Sequence, residues 1–251
     1  MVEELKRRLT KELQKDVHVK ILESLTWNLP VRSIDIEYET IKKSKMDILM
    51  KMMLIALQKG SVSDTEELSE LLLVEPLFIN DLIAKMQRTG ILVKNGPFFA
   101  LTAAGVKQLE TGVFENEPEQ DTRNVLYSPS HQSFLVGEWK EPWEQATEDY
   151  RYSEGAGDWN VSQLEDSEMI EALRKLEVES VYENTQIVVS DILSASDIQV
   201  RRVSCIEFRL RHVSDDILYA RVWNTLTEQW DEQLEAELNE KERKSWREQY
   251  K

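Results

Sequence analysis

Few side chains in this sequence are spaced for chemistry. Three histidines, His18, His131 and His212, and one cysteine, Cys205, are scattered over 251 residues. No C-x-x-C, H-x-x-x-H or H-E-x-x-H spacing joins them, so no metal site is expected. Ser128-Pro129-Ser130-His131 sets hydroxyls near an imidazole. A serine nucleophile, however, needs its base oriented by a third group, and the chain carries no G-x-S-x-G elbow. Acids are abundant, 47 in all, so paired carboxylates arise by chance and single out no acid–base couple. Ser153-Glu154-Gly155-Ala156-Gly157-Asp158 contains glycine but lacks the Gly-Lys-Ser/Thr that closes a phosphate-binding loop. The expectation is a non-enzymatic protein with no catalytic residue and no cofactor.

Residues suited to contact rather than catalysis are easier to find. Trp139, Trp143, Tyr150, Tyr152 and Trp159 sit among acids, either anchoring a polar segment to the core or forming a contact surface for a basic partner. Cys205 lies inside strand-like text and reads as a small buried hydrophobe.

The elements that must position these residues are clearest from Met46 to Gly112. Asp47–Leu57 is apolar almost all round, as in a helix buried on most sides. Gly60 is expected in the left-handed position after it. Asp64-Thr65-Glu66-Glu67 opens a second helix, with a capping side chain and acids at the positive end of the dipole. Pro76 opens a third, in which Ile79, Leu82, Ile83 and Met86 share one face. Ile91–Lys94 and Phe98–Leu101 flank Asn95-Gly96-Pro97 and read as a hairpin. The order helix, helix, helix, hairpin resembles the winged helix-turn-helix superfamily, and ELSELLLVEPLFINDLIAKMQRTGILVKNGPFFALTAAG is similar to the second helix, third helix and wing of MarR-like bacterial domains. Leu101-Thr102-Ala103-Ala104-Gly105 is similar to the L-T-x-x-G that leaves the wing in those families.

That resemblance implies a fold for roughly a quarter of the chain and two different roles. As a protein-contact module, the domain would present Leu77 and Phe78 at the start of its third helix, with Trp139, Trp143 and Trp159 in the rest of the chain. As a DNA-binding regulator it would use Lys42, Lys43, Lys45, Lys85, Arg88 and the wing's Lys94. A DNA reader usually opens that helix with Arg, Lys, Ser or Asn, whereas this one opens Glu75-Pro76-Leu77-Phe78. The contact role is therefore favoured.

Elsewhere, Leu5, Leu9 and Leu13 stripe an N-terminal helix that either packs on the core or mediates self-association. Val17–Leu29 and Val31–Glu39 read as two strands broken at Pro30. His18-Val19-Lys20 has the H-x-K of the phospholipase D pattern, but Leu25 stands where that pattern places Asp. Residues 186–193 are strand or buried helix. Ile206, Phe208 and Leu210 face one way in a hairpin closed by Ser214-Asp215-Asp216. Its other face is expected to show Arg209, Arg211, Tyr219, Arg221 and Trp223. Residues 228–250 read as a long charged helix with Trp230, Leu234, Leu238, Trp246 and Tyr250 in one narrow stripe.

Composition bounds the rest. Hydrophobic residues at 41% and charged residues at 31% describe a globular chain. The net charge of −16 lies almost wholly in residues 113–200, which hold 5 basic and 20 acidic residues. Such a field repels phosphate and suits a basic protein partner. No apolar run spans a bilayer and no secretory signal opens the sequence, so a cytoplasmic location without membrane contact is expected. The expected fold class is α+β: a winged-helix domain over 1–112 with an added N-terminal helix and strands, a linker over 113–123, and an acidic α+β domain over 124–251 that ends in the long helix.

Overall fold

The computed structural model describes residues 2–60, 64–96, 98–153 and 159–250. It corrects the expected fold class. The chain does not begin with a winged-helix domain to which a helix and strands are added. It is a mixed α/β protein dominated by a long antiparallel sheet. The helices are α1 (Val2–Leu13), α2 (Ile48–Lys59), α3 (Thr65–Leu72), α4 (Pro76–Arg88), α5 (Ala103–Thr111), α6 (Asp166–Lys175) and α7 (Glu232–Gln249). The strands are β1 (Val19–Lys45), β2 (Leu92–Asn95), β3 (Phe98–Leu101), β4 (Val113–Glu115), β5 (Glu119–Ser128), β6 (Ser133–Leu135), β7 (Ser180–Tyr182), β8 (Thr185–His212), β9 (Ile217–Asn224) and β10 (Gln229–Trp230). The main sheet runs β10-β9-β8-β1-β5-β6, with β4 on β1 and β7 on β8, while β2 and β3 pair separately.

The misreading has a physical source. β1 is one strand of 27 residues, not two pieces broken at Pro30. Proline's fixed φ is compatible with extended backbone, so the ring removes one donor without ending the strand. Its neighbours β5 and β8 come from far along the chain, and no local window contains that pairing. Residues 113–123, read as a linker, supply β4 and the first part of β5. The ambiguous segment 186–193 is strand, within β8.

The chain divides into two compact units, one of Met1–Ile36, Arg123–Ala172 and Ser194–Lys251, the other of Glu37–Thr122 and Leu173–Leu193. In the first, β8 and β9 are covered on both faces. Val203, Cys205, Leu218, Ala220 and Val222 join Leu234, Leu238 and Trp246 of α7 in one core. Ile206, Phe208, Leu210 and Trp223 join Leu9 of α1, flanked by Leu5 and Leu13, in another. The N-terminal leucine stripe is thus spent on the sheet. Strand alternation sends odd and even positions to opposite faces. The register His212↔Ile217 through Cys205↔Asn224 opposes even residues of β8 to odd residues of β9. Tyr219, Arg221 and Trp223 therefore share the face of Ile206, Phe208 and Leu210, and the expected common face with Arg209 and Arg211 does not exist. Trp230 also departs from its expected place: it lies in β10, before α7, and packs in the α1 core.

The second unit has its own core. Met50, Met53, Leu54 and Leu57 of α2, Leu68 of α3, and Ile79, Ile83 and Met86 of α4 close against Ile91, Leu92, Leu109 and Phe114. The side chain of Asp47 accepts from the amides of Leu49 and Met50 at the start of α2. Gly60 is extended, at φ −132°, instead of left-handed. Thr102 caps α5, and Gly105 lies so close to the Ile91 carbonyl that a Cβ there would collide with it. The tip residue Pro97 and residues 154–158 of the glycine-containing segment lie outside the described residues. Among the described residues, no helix is long and apolar enough to cross a membrane.

Candidate interaction surface

The junction of α3 and α4 is where the second unit exposes most apolar surface. Asp64 caps α3 by accepting from the Glu67 amide at 2.8 Å, and Leu68 anchors it to the core. The helix ends on Leu73, which takes the left-handed conformation at φ 57° and ψ 40°. Its amide bonds back to the Ser69 carbonyl. Glu75 then precedes α4 without a side-chain cap, and Pro76 occupies the first turn. With Ile79, Ile83 and Met86 turned inward, the tight corner directs four large side chains to solvent. Leu71 is 62% exposed, Leu73 92%, Leu77 73% and Phe78 64%.

Two costs converge here. Burying one such side chain is worth about 1.5–3 kcal/mol, and all four forgo most of it. A left-handed non-glycine residue costs roughly 1–2 kcal/mol more, a penalty that glycine at the same position escapes. The rim is acidic. From Asp64 to Arg88 the chain holds six acidic and two basic residues, and Glu70, Glu75 and Asp81 are exposed. An apolar centre with a negative rim is complementary to an apolar groove edged by cations.

The other candidates do not gather around it. Trp139, Trp143 and Trp159 belong to the first unit and are half-buried. Trp139 donates to the Arg202 carbonyl at 3.2 Å beneath the Arg201 guanidinium. Trp143 packs beside the α1 core. Trp159 stacks on Tyr127 with ring centroids 4.9 Å apart, next to Arg32. Of the basic residues, Lys43 pairs with Glu115 at 2.8 Å and Arg88 with Glu117 at 2.9 Å. Lys85 and Lys94 lie over the rings of Phe114 and Phe99. Lys42 and Lys45 are exposed. On the outer face of α4, Arg88 is the one exposed cation.

The Ser128–His131 pair acquires the acid that its local sequence lacks. Ser128 Oγ lies 2.7 Å from His131 Nδ1, and His131 Nε2 lies 3.0 Å from both oxygens of Asp231. The set has the elements of a hydrolase triad but not its access. Ser128 is fully buried, so no substrate reaches its hydroxyl. Asp231 is also committed elsewhere: it accepts from Asn224 and caps α7 at the Leu234 amide. Burial pushes its carboxyl up, but the bonds from His131, Asn224 and Leu234 outweigh that and hold it below the usual range. The three residues lock the β5–β6 turn to the start of α7.

A second polar network lies under α7. Buried Glu207 accepts from Trp27 Nε1 at 2.8 Å, from Arg151 at 2.8 and 3.1 Å, and from Arg209 at 3.1 Å. Burial raises the Glu207 carboxyl, yet the two guanidiniums and the indole bring it below its ordinary value. Arg151 also meets Glu242, and Arg209 meets Glu23. This is the polar sheet face, covered by the last helix, with Glu207 fully buried and Arg151 partly open to solvent. Cys205, whose thiol burial pushes up, is as enclosed as Glu207. Among the described residues, no group of three His, Cys, Asp or Glu is placed to hold a metal ion. Compared with models of protein families, with curated proteins and with solved structures, the chain matches none.

Proposed function

We propose that this protein is a non-enzymatic interaction module whose α3–α4 corner docks a protein partner with an apolar groove and a basic edge. The observation that carries the reading is Leu73. A leucine held left-handed and 92% exposed is costly for folding alone, and it stands beside Leu71, Leu77 and Phe78. Partner burial recovers that cost. The segment 48–101 supplies the helices α2, α3 and α4 that build and present this corner. The buried free thiol of Cys205 suits a reducing compartment such as the cytoplasm.

The alternative, a DNA-binding regulator, draws on Lys42, Lys43, Lys45, Lys85, Arg88 and Lys94. Four of these are held by a carboxylate or an aromatic ring, and the acidic rim of α4 opposes phosphate, so we rank it second. One experiment separates the two. Full-length protein and the Leu77→Asp/Phe78→Asp variant are each used to capture partners from host extract and are titrated with duplex DNA at low salt. The contact reading expects a partner that binds the native surface, is lost from the variant and is released by salt. DNA binding that survives the variant and disappears on charge reversal of Lys42, Lys45 and Lys94 overturns it.

A further inference from the structure

A cleft of about 900 Å³ opens in the first unit beside α1. Its cations are Arg7, Arg8 and Lys11 of α1 and Lys140, and its apolar wall includes Trp143 and Trp223. The size falls within the range of small-molecule sites. The wall is rigid. Trp223 meets Trp230 edge-on at 5.3 Å, Trp230 meets Phe208 at 6.1 Å, and the Trp143 amide donates to Ser204 Oγ at 2.9 Å.

The charges are the unusual part. In a chain of net charge −16, Arg7, Arg8 and Lys11 form no ion pair with any described residue. Arg8 instead lies 5.4 Å from the Trp223 ring centre. Three acids share the lining: Glu4, Glu141 and Glu228, the last paired with Lys140 at 2.6 Å. Unpaired cations grouped on one helix face, an indole wall and nearby carboxylates together match one class of ligand. A planar base stacks on indole, phosphates take the guanidiniums and ammonium, and ribose hydroxyls donate to carboxylates.

We propose that this cleft binds a nucleoside phosphate, with Arg7, Arg8 and Lys11 on the phosphates and the half-buried Trp143 on the base, Trp223 forming the floor beneath Arg8. The site lies apart in sequence from the α3–α4 corner and does not depend on the function proposed for it. The test is calorimetric titration of the full-length protein with ATP, ADP, adenosine and pyrophosphate, read alongside tryptophan fluorescence. ATP or ADP is expected to bind and to quench fluorescence, each more tightly than adenosine or pyrophosphate. Arg7→Glu/Lys11→Glu, which alters two exposed side chains only, is expected to weaken nucleotide binding roughly tenfold or more. Absence of nucleotide binding at millimolar concentration overturns the proposal, as does binding unchanged in the variant. Pyrophosphate binding as tightly as ATP removes the role of the indole wall, and adenosine binding as tightly removes that of the cations. Either result also overturns it.

Discussion

Replacing Leu73 by glycine should stabilise the second unit while weakening any partner contact. Leucine at φ 57° carries the left-handed penalty of roughly 1–2 kcal/mol. Glycine removes it but returns about 0.4–1 kcal/mol through the greater freedom of its unfolded chain. The side chain is 92% exposed, so truncation forfeits only about 0.2 kcal/mol of burial. The midpoints of these terms leave a net gain of about 0.6 kcal/mol. Leu73→Ala is the control, since alanine keeps the left-handed penalty while losing the same side chain, and should change stability by less than about 0.3 kcal/mol. Urea denaturation followed by circular dichroism reads both, with the midpoint of Leu73→Gly above native protein and Leu73→Ala close to it. A glycine variant no more stable than the alanine variant would refute the argument that Leu73 is held against its backbone preference. If that happened, the corner would lose its main evidence of selection for contact.

Glu207→Ala removes the acceptor for Trp27, Arg151 and Arg209 and should cost about 3 kcal/mol in urea denaturation, the low end for a broken buried pair because Arg151 is partly exposed. A loss below about 1 kcal/mol would mean that Glu242 and Glu23 take over both guanidiniums. Asp231 and Glu207 both have carboxyls held below their ordinary values. Their contribution is therefore complete above the unfolded values, about pH 4 and 4.3, and is lost as pH falls through the lower folded values. The urea midpoint should fall as pH drops below about 4.5, and Asp231→Asn should flatten part of that slope. Gly105→Ala drives a Cβ into the Ile91 carbonyl and should cost about 2–3 kcal/mol, seen as early loss of the second unit in thermal melts.

Much of the second unit was legible in the sequence because its signals are local. Asp64 caps α3, Pro76 opens α4, and Ile79, Ile83 and Met86 turn inward at the predicted spacing. Leu77 and Phe78 emerge on the outer face by the same helix phase. Helical spacing puts Leu71 on the inner stripe of α3 with Leu68 and Leu72, yet it is 62% exposed, and a left-handed leucine at 73 announces itself in no composition or period. The sheet was out of reach for a different reason. β1 pairs with strands from distant parts of the sequence, and only tertiary packing selects those partners and carries the strand through Pro30. The register of β8 and β9 likewise depends on a turn of four residues, which moves Tyr219, Arg221 and Trp223 to the face opposite Arg209. Asp231 reaches His131 across 100 residues, and burial then converts a triad-like set into a structural lock. Residue types and short spacings determined which helices form and which faces are apolar. Tertiary structure alone decided which distant side chains meet and whether solvent reaches them, because contact and burial are properties of the folded surface and not of any window of sequence.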